Sequence, residues 1–170
     1  MMKRFFYFLL FPLLVSFLYI SCVKQKNYPI VPSIAFKQFI KYDTVKNGVN
    51  TLCGADCIIT FKDGDGDIGL LSGDTVPDLK MVYLYKGTDG KFHPYDQNFT
   101  EPGFDTLIFH YSVPDLTPQG QYKALEGEIR IQMHTIIALP QHTAFKYAII
   151  LCDRAGHYSN WAFTDEIPNP

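Results

Sequence analysis

Hydrophobic and polar side chains alternate along residues 125–134, LEGEIRIQMH. Ile129, Ile131 and Met133 fall on one side of an extended chain, and the polar or charged residues between them fall on the other. A period of two is typical of a β-strand with one buried face and one solvated face. Residues 56–62, DCIITFK, alternate in the same way and predict a second strand of this kind.

Further runs of apolar, β-branched and aromatic residues predict six more strands, with Gly and Pro marking the turns between them. These runs are residues 33–41, 79–86, 91–95, 104–112, 144–152 and 159–164. Residues 43–55 contain Asn47-Gly48 and Cys53-Gly54 and are predicted to form a long loop. The pattern predicts an all-β fold, an immunoglobulin-like antiparallel β-sandwich of seven or eight strands over residues 33–170.

The first 21 residues have the pattern of a secretory signal peptide. Lys3 and Arg4 precede an apolar run over residues 5–20, which is shorter than the ~20 residues of a membrane-spanning helix. Ser21 then precedes Cys22, and this pair resembles the lipobox of bacterial lipoproteins, although Tyr19 and Ile20 depart from its usual residues. The resemblance implies cleavage after residue 21 and lipidation of Cys22. The alternative is an ordinary signal peptide or an uncleaved anchor with an incidental cysteine.

The polar segment from Cys22 to residue 32 is predicted to be a tether between the lipid anchor and the domain.

Within residues 56–167, the stretches ITFKDGDGDIG and YAIILCDRAGHYSN resemble uncharacterised lipoproteins of the Bacteroidota and the last hairpin of bacterial immunoglobulin-like domains. His157 departs from the asparagine usual in that hairpin. The resemblance implies an immunoglobulin-like fold in the cell envelope and no known activity. Since acidic residues do not follow Cys22, it also favours the periplasmic side of the outer membrane over the cell surface.

Three aspartates alternate with glycines directly after the predicted strand 56–62, at Asp63, Asp65 and Asp67. Calcium binds six to eight oxygen atoms, and alternating carboxylates on a flexible loop can supply several of them. The loop is not an EF-hand, because Ile68 stands where that motif requires Gly and a strand precedes it. Magnesium is less favoured, since it prefers few carboxylates and many waters. The alternative is a solvated turn, in which Asp-Gly pairs are common.

Topology predicts a fourth carboxylate at this loop. In an immunoglobulin-like sandwich, strands 56–62 and 144–152 run in the same direction, so the loops after them emerge at the same end. Asp153 is therefore predicted to join the three aspartates of the first loop, and the loop 113–122 is expected to bring Asp115 to the same end. Carboxylates that converge repel one another unless a cation binds. We therefore predict a calcium site formed by Asp63, Asp65, Asp67 and Asp153.

The cysteines after Cys22 do not fit an inter-sheet disulfide. Cys57 lies six residues before Asp63, whereas Cys152 lies one residue before Asp153, so the two thiols are offset by ~16 Å along the strands. That offset exceeds the ~7 Å limit on the Cα separation of a disulfide. A Cys53–Cys57 bridge and free thiols remain the alternatives.

The composition and the lack of catalytic motifs argue against two classes of function, nucleic-acid binding and catalysis. The formal net charge is −2 and no basic cluster follows the N-terminus, so nucleic-acid binding is not expected. The histidines show no zinc spacing and no catalytic motif occurs, so an enzyme is not expected. The sequence predicts a non-catalytic lipoprotein for adhesion or assembly, whose partners are the membrane and an envelope protein or glycan. The alternative is a glycan-binding accessory lipoprotein of an uptake system, using the aromatic residues Tyr83, Tyr85, Tyr95 and Trp161.

Overall fold

The structure, a computed structural model, describes residues 26–46, 49–74, 78–95, 107–134, 136 and 142–169, with the backbone alone for 43–46 and 49–53. Within these ranges the chain forms nine strands and no helix, which confirms the all-β prediction. The strands are β1 Ser33–Lys46, β2 Val49–Asp63, β3 Leu79–Lys86, β4 Phe92–Pro94, β5 Ile108–Tyr111, β6 Leu125–Met133, β7 Ala144–Leu151, β8 Ala162–Phe163 and β9 Ile167–Pro168.

Two antiparallel sheets pack around one hydrophobic core. The first sheet has the order β1-β2-β6, and the second has the order β4-β3-β7-β8, with β5 also paired to β3 and β9 to β7. The predicted alternation along β6 is present, because its apolar residues face inward and its charged residues face solvent. Strand β7 is buried along most of its length and supplies Phe145, Tyr147 and Ile149 to the core.

The prediction of a long loop over residues 43–55 is wrong. Strand β1 continues to Lys46 and β2 begins at Val49, and the two strands pair from Ser33↔Lys62 to Lys46↔Val49. Asn47-Gly48 therefore stands between two paired strands, where an Asn-Gly pair is a strong hairpin signal. Residues 43–55 show no regular alternation of apolar and polar side chains, so the hydrophobicity pattern did not predict the pairing of these strands.

The remaining strands lie close to their predicted positions. Strand β3 has its predicted bounds, whereas β4, β5 and β8 are shorter than their predicted runs. Strand β9 was not predicted, and the described residues hold nine strands in place of seven or eight. The immunoglobulin-like assignment itself remains a prediction. Within the described ranges, no helix has the length and apolar character needed to span a membrane.

Candidate metal centre

The structure brings together Asp63, Asp67 and Asp153, which are separated by up to 90 residues in the sequence. One carboxylate oxygen from each side chain lies within 4.8 Å of the other two. Asp63 is the last residue of β2 in the first sheet, and Asp153 follows β7 in the second sheet. Packing of the two sheets thus places the loops after β2 and β7 at one end of the domain. We call the end formed by residues 63–70, 113–118 and 153–157 the acidic pole.

The first loop of the acidic pole folds around the carboxylate of Asp63. Its Oδ2 atom accepts hydrogen bonds from the backbone N–H groups of Gly66, at 2.7 Å, and Asp67, at 3.2 Å. Gly66 has a φ angle of +71°, and a Cβ atom there would overlap the carbonyl oxygen of Lys123. Both features require glycine. The Asp-Gly repeat therefore curls the backbone tightly enough to turn several carboxylates inward.

The second loop is closed by Asp153. Its carboxylate accepts hydrogen bonds from the backbone N–H of His157, at 2.7 Å, and from Nδ1 of the same residue, at 2.9 Å. Backbone contacts join this loop to the first, because Arg154 N–H donates to the carbonyl of Asp67 at 3.2 Å. Ala155 N–H donates to Asp67 Oδ2 at 3.0 Å. The two loops therefore form one connected unit.

Each of the three alternating aspartates has an unpartnered carboxylate oxygen. The buried Oδ1 atoms of Asp63, Asp65 and Asp67 have no hydrogen-bond partner among the described residues. The side chains of Asp63 and Asp153 are both fully buried. Buried polar atoms are normally paired, because an unpaired carboxylate oxygen loses its hydration without compensation. A cation among these oxygens would supply the missing partner.

The same environment changes the acidity of the carboxyl groups. Burial raises the pKa of Asp63 to about 6, with a further contribution from the charges of Asp65 and Asp67 and an opposing one from hydrogen bonds to backbone N–H groups. Burial also raises the pKa of Asp67, and the charges of Asp153 and Asp65 add to this effect. Both shifts show that the ionised cluster is disfavoured without a counter-charge.

The other predicted acidic residues have different places. Asp65 lies close enough for its charge to act on Asp63 and Asp67, but it is not in the group of three whose oxygens lie within 4.8 Å. Asp74, which is not one of the predicted ligands, is exposed and accepts a hydrogen bond from Leu71 N–H in its own turn. Asp115 reaches the acidic pole, where it pairs with Arg154.

Arg154 is the residue of the acidic pole that sequence reasoning missed. Its Nη1 atom donates to the carbonyl of Gly69 at 2.7 Å and pairs with Asp115 Oδ1 at 3.1 Å. Its Nη2 atom donates to Thr117 Oγ1 at 2.5 Å. The planar guanidinium group suits several simultaneous acceptors. Arg154 therefore fastens three loops together, and the sequence signal was its position directly after the predicted ligand Asp153.

The cysteines carry no described disulfide. Cys57 is buried in the core and Cys152 is partly exposed, and both are free thiols. Burial raises the pKa of Cys57 to about 12, so its thiol stays protonated and unreactive in the folded state. The side chain of Cys53 lies outside the described residues.

The aromatic residues proposed for glycan binding are mostly part of the packing. Tyr83 is fully buried and stacks on Phe145, with ring centroids 5.3 Å apart. Tyr85 and Tyr95 pack against the core and against each other, with their rings edge to face. Trp161 is 48% exposed. These positions do not form a shared aromatic platform, so no specific observation favours a glycan site.

A shallow depression of about 230 Å³ lies at the other end of the first sheet. Asp56 lies in it, is 2% exposed, and accepts hydrogen bonds from Tyr42 Oη and from Arg130 Nη1, the latter at 3.1 Å. Because its carboxylate is already paired with a cation, this depression lacks the unpartnered oxygens that mark the acidic pole.

A scan of protein-family models and searches of curated proteins and of solved structures found no match to this chain. The predicted likeness to envelope lipoproteins therefore stays a prediction.

Proposed function

We propose that the protein is a non-catalytic, lipid-anchored module of the cell envelope whose β-sandwich is stabilised by one calcium ion. Asp63, Asp67 and Asp153 hold the ion, and Asp65 adds charge and an oxygen from the same loop. Two observations carry the proposal: the first loop holds buried carboxylate oxygens without a partner among the described residues, and Asp153 of the second loop brings a carboxylate oxygen within 4.8 Å of those of Asp63 and Asp67.

The donor set fits calcium by its chemistry. All candidate ligands are oxygen atoms, which hard cations prefer, and three or four carboxylates match the charge of sites that select calcium over magnesium. Backbone carbonyls and water would complete the six to eight oxygens. A bound ion would also offset the burial and the charge repulsion that together raise the pKa of Asp63 and Asp67.

The lipid anchor is supported by the N-terminal sequence. The apolar run over residues 5–20, followed by Ser21 and Cys22, matches a signal peptide that ends in a lipidation site. Diacylation would add ~0.8 kcal/mol per buried CH₂ group, so multiple acyl chains would hold the domain at a membrane. The stiffened domain would then act in adhesion or in assembly of an envelope complex.

Calorimetric titration of the mature domain with calcium tests the metal site. We expect heat with about one ion per chain and a weaker response to magnesium. The variant Asp63→Asn should lose the calcium signal, whereas the matched control Asp74→Asn should keep it, because Asp74 is exposed and bonds only within its own turn. Absence of heat in the wild-type protein, together with an unchanged melting temperature in chelator, would refute the calcium site.

Metabolic labelling with a palmitate analogue tests the anchor separately. The wild-type chain should incorporate label and appear in the membrane fraction, and Cys22→Ser should do neither. The control Cys152→Ser removes a partly exposed thiol far from the N-terminus in sequence, and it should leave labelling unchanged. Equal labelling of the wild-type chain and Cys22→Ser would show that Cys22 is not the lipidated residue.

A further inference from the structure

The segment that leads from the N-terminus into β1 lies on the acidic pole. A Cβ atom at Gly64 would overlap the carbonyl oxygen of Tyr28 and lie 2.7 Å from that of Pro29. Lys26 and Tyr28 also bond to the carboxylate of Glu126 at the start of β6. The backbone of Tyr28 and Pro29 therefore packs directly on the loop that holds Asp63 and Asp67, and this close approach requires Gly64.

Chain length limits how far Cys22 can lie from this contact. Cys22 lies four positions before Lys26, and a fully extended chain spans at most about 3.6 Å per residue. Cys22 therefore lies within about 14 Å of the Lys26 backbone, whatever path the intervening residues take. An acylated Cys22 would bring the acidic pole, and not the opposite end of the sandwich, to the lipid surface.

The segments around the acidic pole also expose apolar side chains. Ile30 is 56% exposed, Val31 45%, Leu71 49% and Tyr122 60%. Ile30 and Val31 follow the contact at Gly64, and Leu71 follows the calcium loop. Tyr122 precedes Lys123, whose carbonyl abuts Gly66. Exposed apolar residues beside charged groups, with Tyr among them, are typical of surfaces that lie in the headgroup region of a bilayer.

We infer that the acidic pole is a membrane-apposed surface that faces the phosphate groups of the lipids that hold Cys22, and that a bound cation neutralises the pole there. This inference deepens the proposed function and rests on it. Without calcium, the carboxylates of the pole face anionic headgroups and are repelled by them. With calcium, the negative charge of the carboxylates is neutralised, and the repulsion between the pole and the anionic headgroups falls. Calcium thus draws the domain onto the bilayer.

The orientation can be measured by quenching of tryptophan fluorescence in vesicles. The acylated protein is purified from membranes in a Trp161→Phe background, which removes the natural tryptophan, and carries one new probe. Tyr122→Trp places the probe at the acidic pole. Tyr42→Trp places it nine residues along β1 from Ser33, about 30 Å away. The vesicles contain phosphatidylglycerol and lipids with brominated acyl chains.

We expect at least twofold stronger quenching at Tyr122→Trp than at Tyr42→Trp in calcium, and a smaller difference in chelator. Gln132→Trp, on the exposed face of β6 near Tyr42, is a second distal probe that does not disturb the bond between Tyr42 and Asp56. Equal quenching at the proximal and distal positions, or stronger quenching at the distal ones, would overturn the inference. A difference that chelator does not change would overturn the role of the ion.

These failures can be separated from failure of the proposed function. Mass spectrometry of the same sample reports acylation, and calorimetry reports calcium binding. A chain that is acylated and binds calcium, yet shows equal quenching at both ends, contradicts the orientation alone. A chain without acyl groups overturns the anchor and the orientation together.

Discussion

Replacing Asp63 by asparagine should stabilise the calcium-free protein and abolish its stabilisation by calcium. The pKa of the buried Asp63 carboxyl is raised from 3.8 to about 6, chiefly by burial. One pKa unit corresponds to about 1.4 kcal/mol, so the ionised carboxylate lowers the free energy of unfolding by about 3 kcal/mol at pH 7. The asparagine amide has the same shape and no charge. Its oxygen can accept the bonds from Gly66 and Asp67, and its NH₂ group can face the other carboxylates.

The sign of the pH dependence follows from the same shift. Between pH 3.8 and about 6, the folded protein binds the Asp63 proton more tightly than the unfolded chain does. In chelator, the wild-type protein should therefore lose stability as the pH rises through this window, and the loss should be complete above it. The variant should lack this component. Since Asp67 shifts in the same direction, some dependence will persist in Asp63→Asn.

Thermal melts at pH 7.5, in chelator and in calcium, measure both effects. For a domain of this size, 1 kcal/mol shifts the Tm by about 3–4 °C, so Asp63→Asn should melt up to about 10 °C higher than wild type in chelator. Calcium at 100 times its Kd should add about 2.7 kcal/mol to the wild-type protein and nothing to the variant. A variant that melts below the wild-type protein in chelator, or that still responds to calcium, would refute the reasoning.

Three further substitutions test packing at the acidic pole and in the hydrophobic core, each by urea denaturation. Gly64→Ala should lower the free energy of unfolding by about 1–3 kcal/mol, because the new Cβ atom meets backbone carbonyls of the tether. In the control Gly127→Ala, the new Cβ atom meets only the edge of an aromatic ring, at 3.1 Å, so the loss should be smaller. Arg154→Lys should cost about 1–2 kcal/mol, since lysine cannot bridge three loops, whereas Arg130→Lys loses one contact and serves as control. Tyr147→Phe should leave the free energy of unfolding unchanged or raise it by up to about 1 kcal/mol, because the Tyr147 hydroxyl is buried without a partner among the described residues. A loss above about 1 kcal/mol would show that this hydroxyl is paired.

Strands that line the core were predictable from the sequence, and the pairing of the end of β1 with the start of β2 was not. The alternation over residues 125–134 and the apolar runs at 79–86 and 144–152 record burial, which has a clear period. Strand β6 pairs with β2 only from Ala55 to Asp63, so the earlier part of β2 pairs with β1 alone. Backbone pairing between two strands does not require a particular period of apolar side chains, so a hydrophobicity pattern does not detect it.

The meeting of Asp63, Asp67 and Asp153 was predictable because the directions of two core strands decide where their following loops emerge. The contacts of Arg154 and of Tyr28 were not predictable in the same way. A long side chain can reach many acceptors, and a tether can cross a domain at either end. Both contacts depend on the local shape of the folded chain, which the pattern of apolar and polar residues in one sequence does not specify. Gly64 is the residue that allows the tether contact. In a sequence alone, a glycine at this position has two explanations, a flexible turn or a close approach of another part of the backbone.

The 90-residue separation between Asp63 and Asp153 gives the site a property that a local loop would lack. An unfolded chain can offer neighbouring aspartates to an ion, but adding Asp153 would first require closing a ring of this length, at an entropic cost of about 4–5 kcal/mol. The folded domain has already met that cost through its two sheets. An ion at this position would therefore bind the folded domain much more tightly than the unfolded chain. Calcium binding would then require that both halves of the chain have folded.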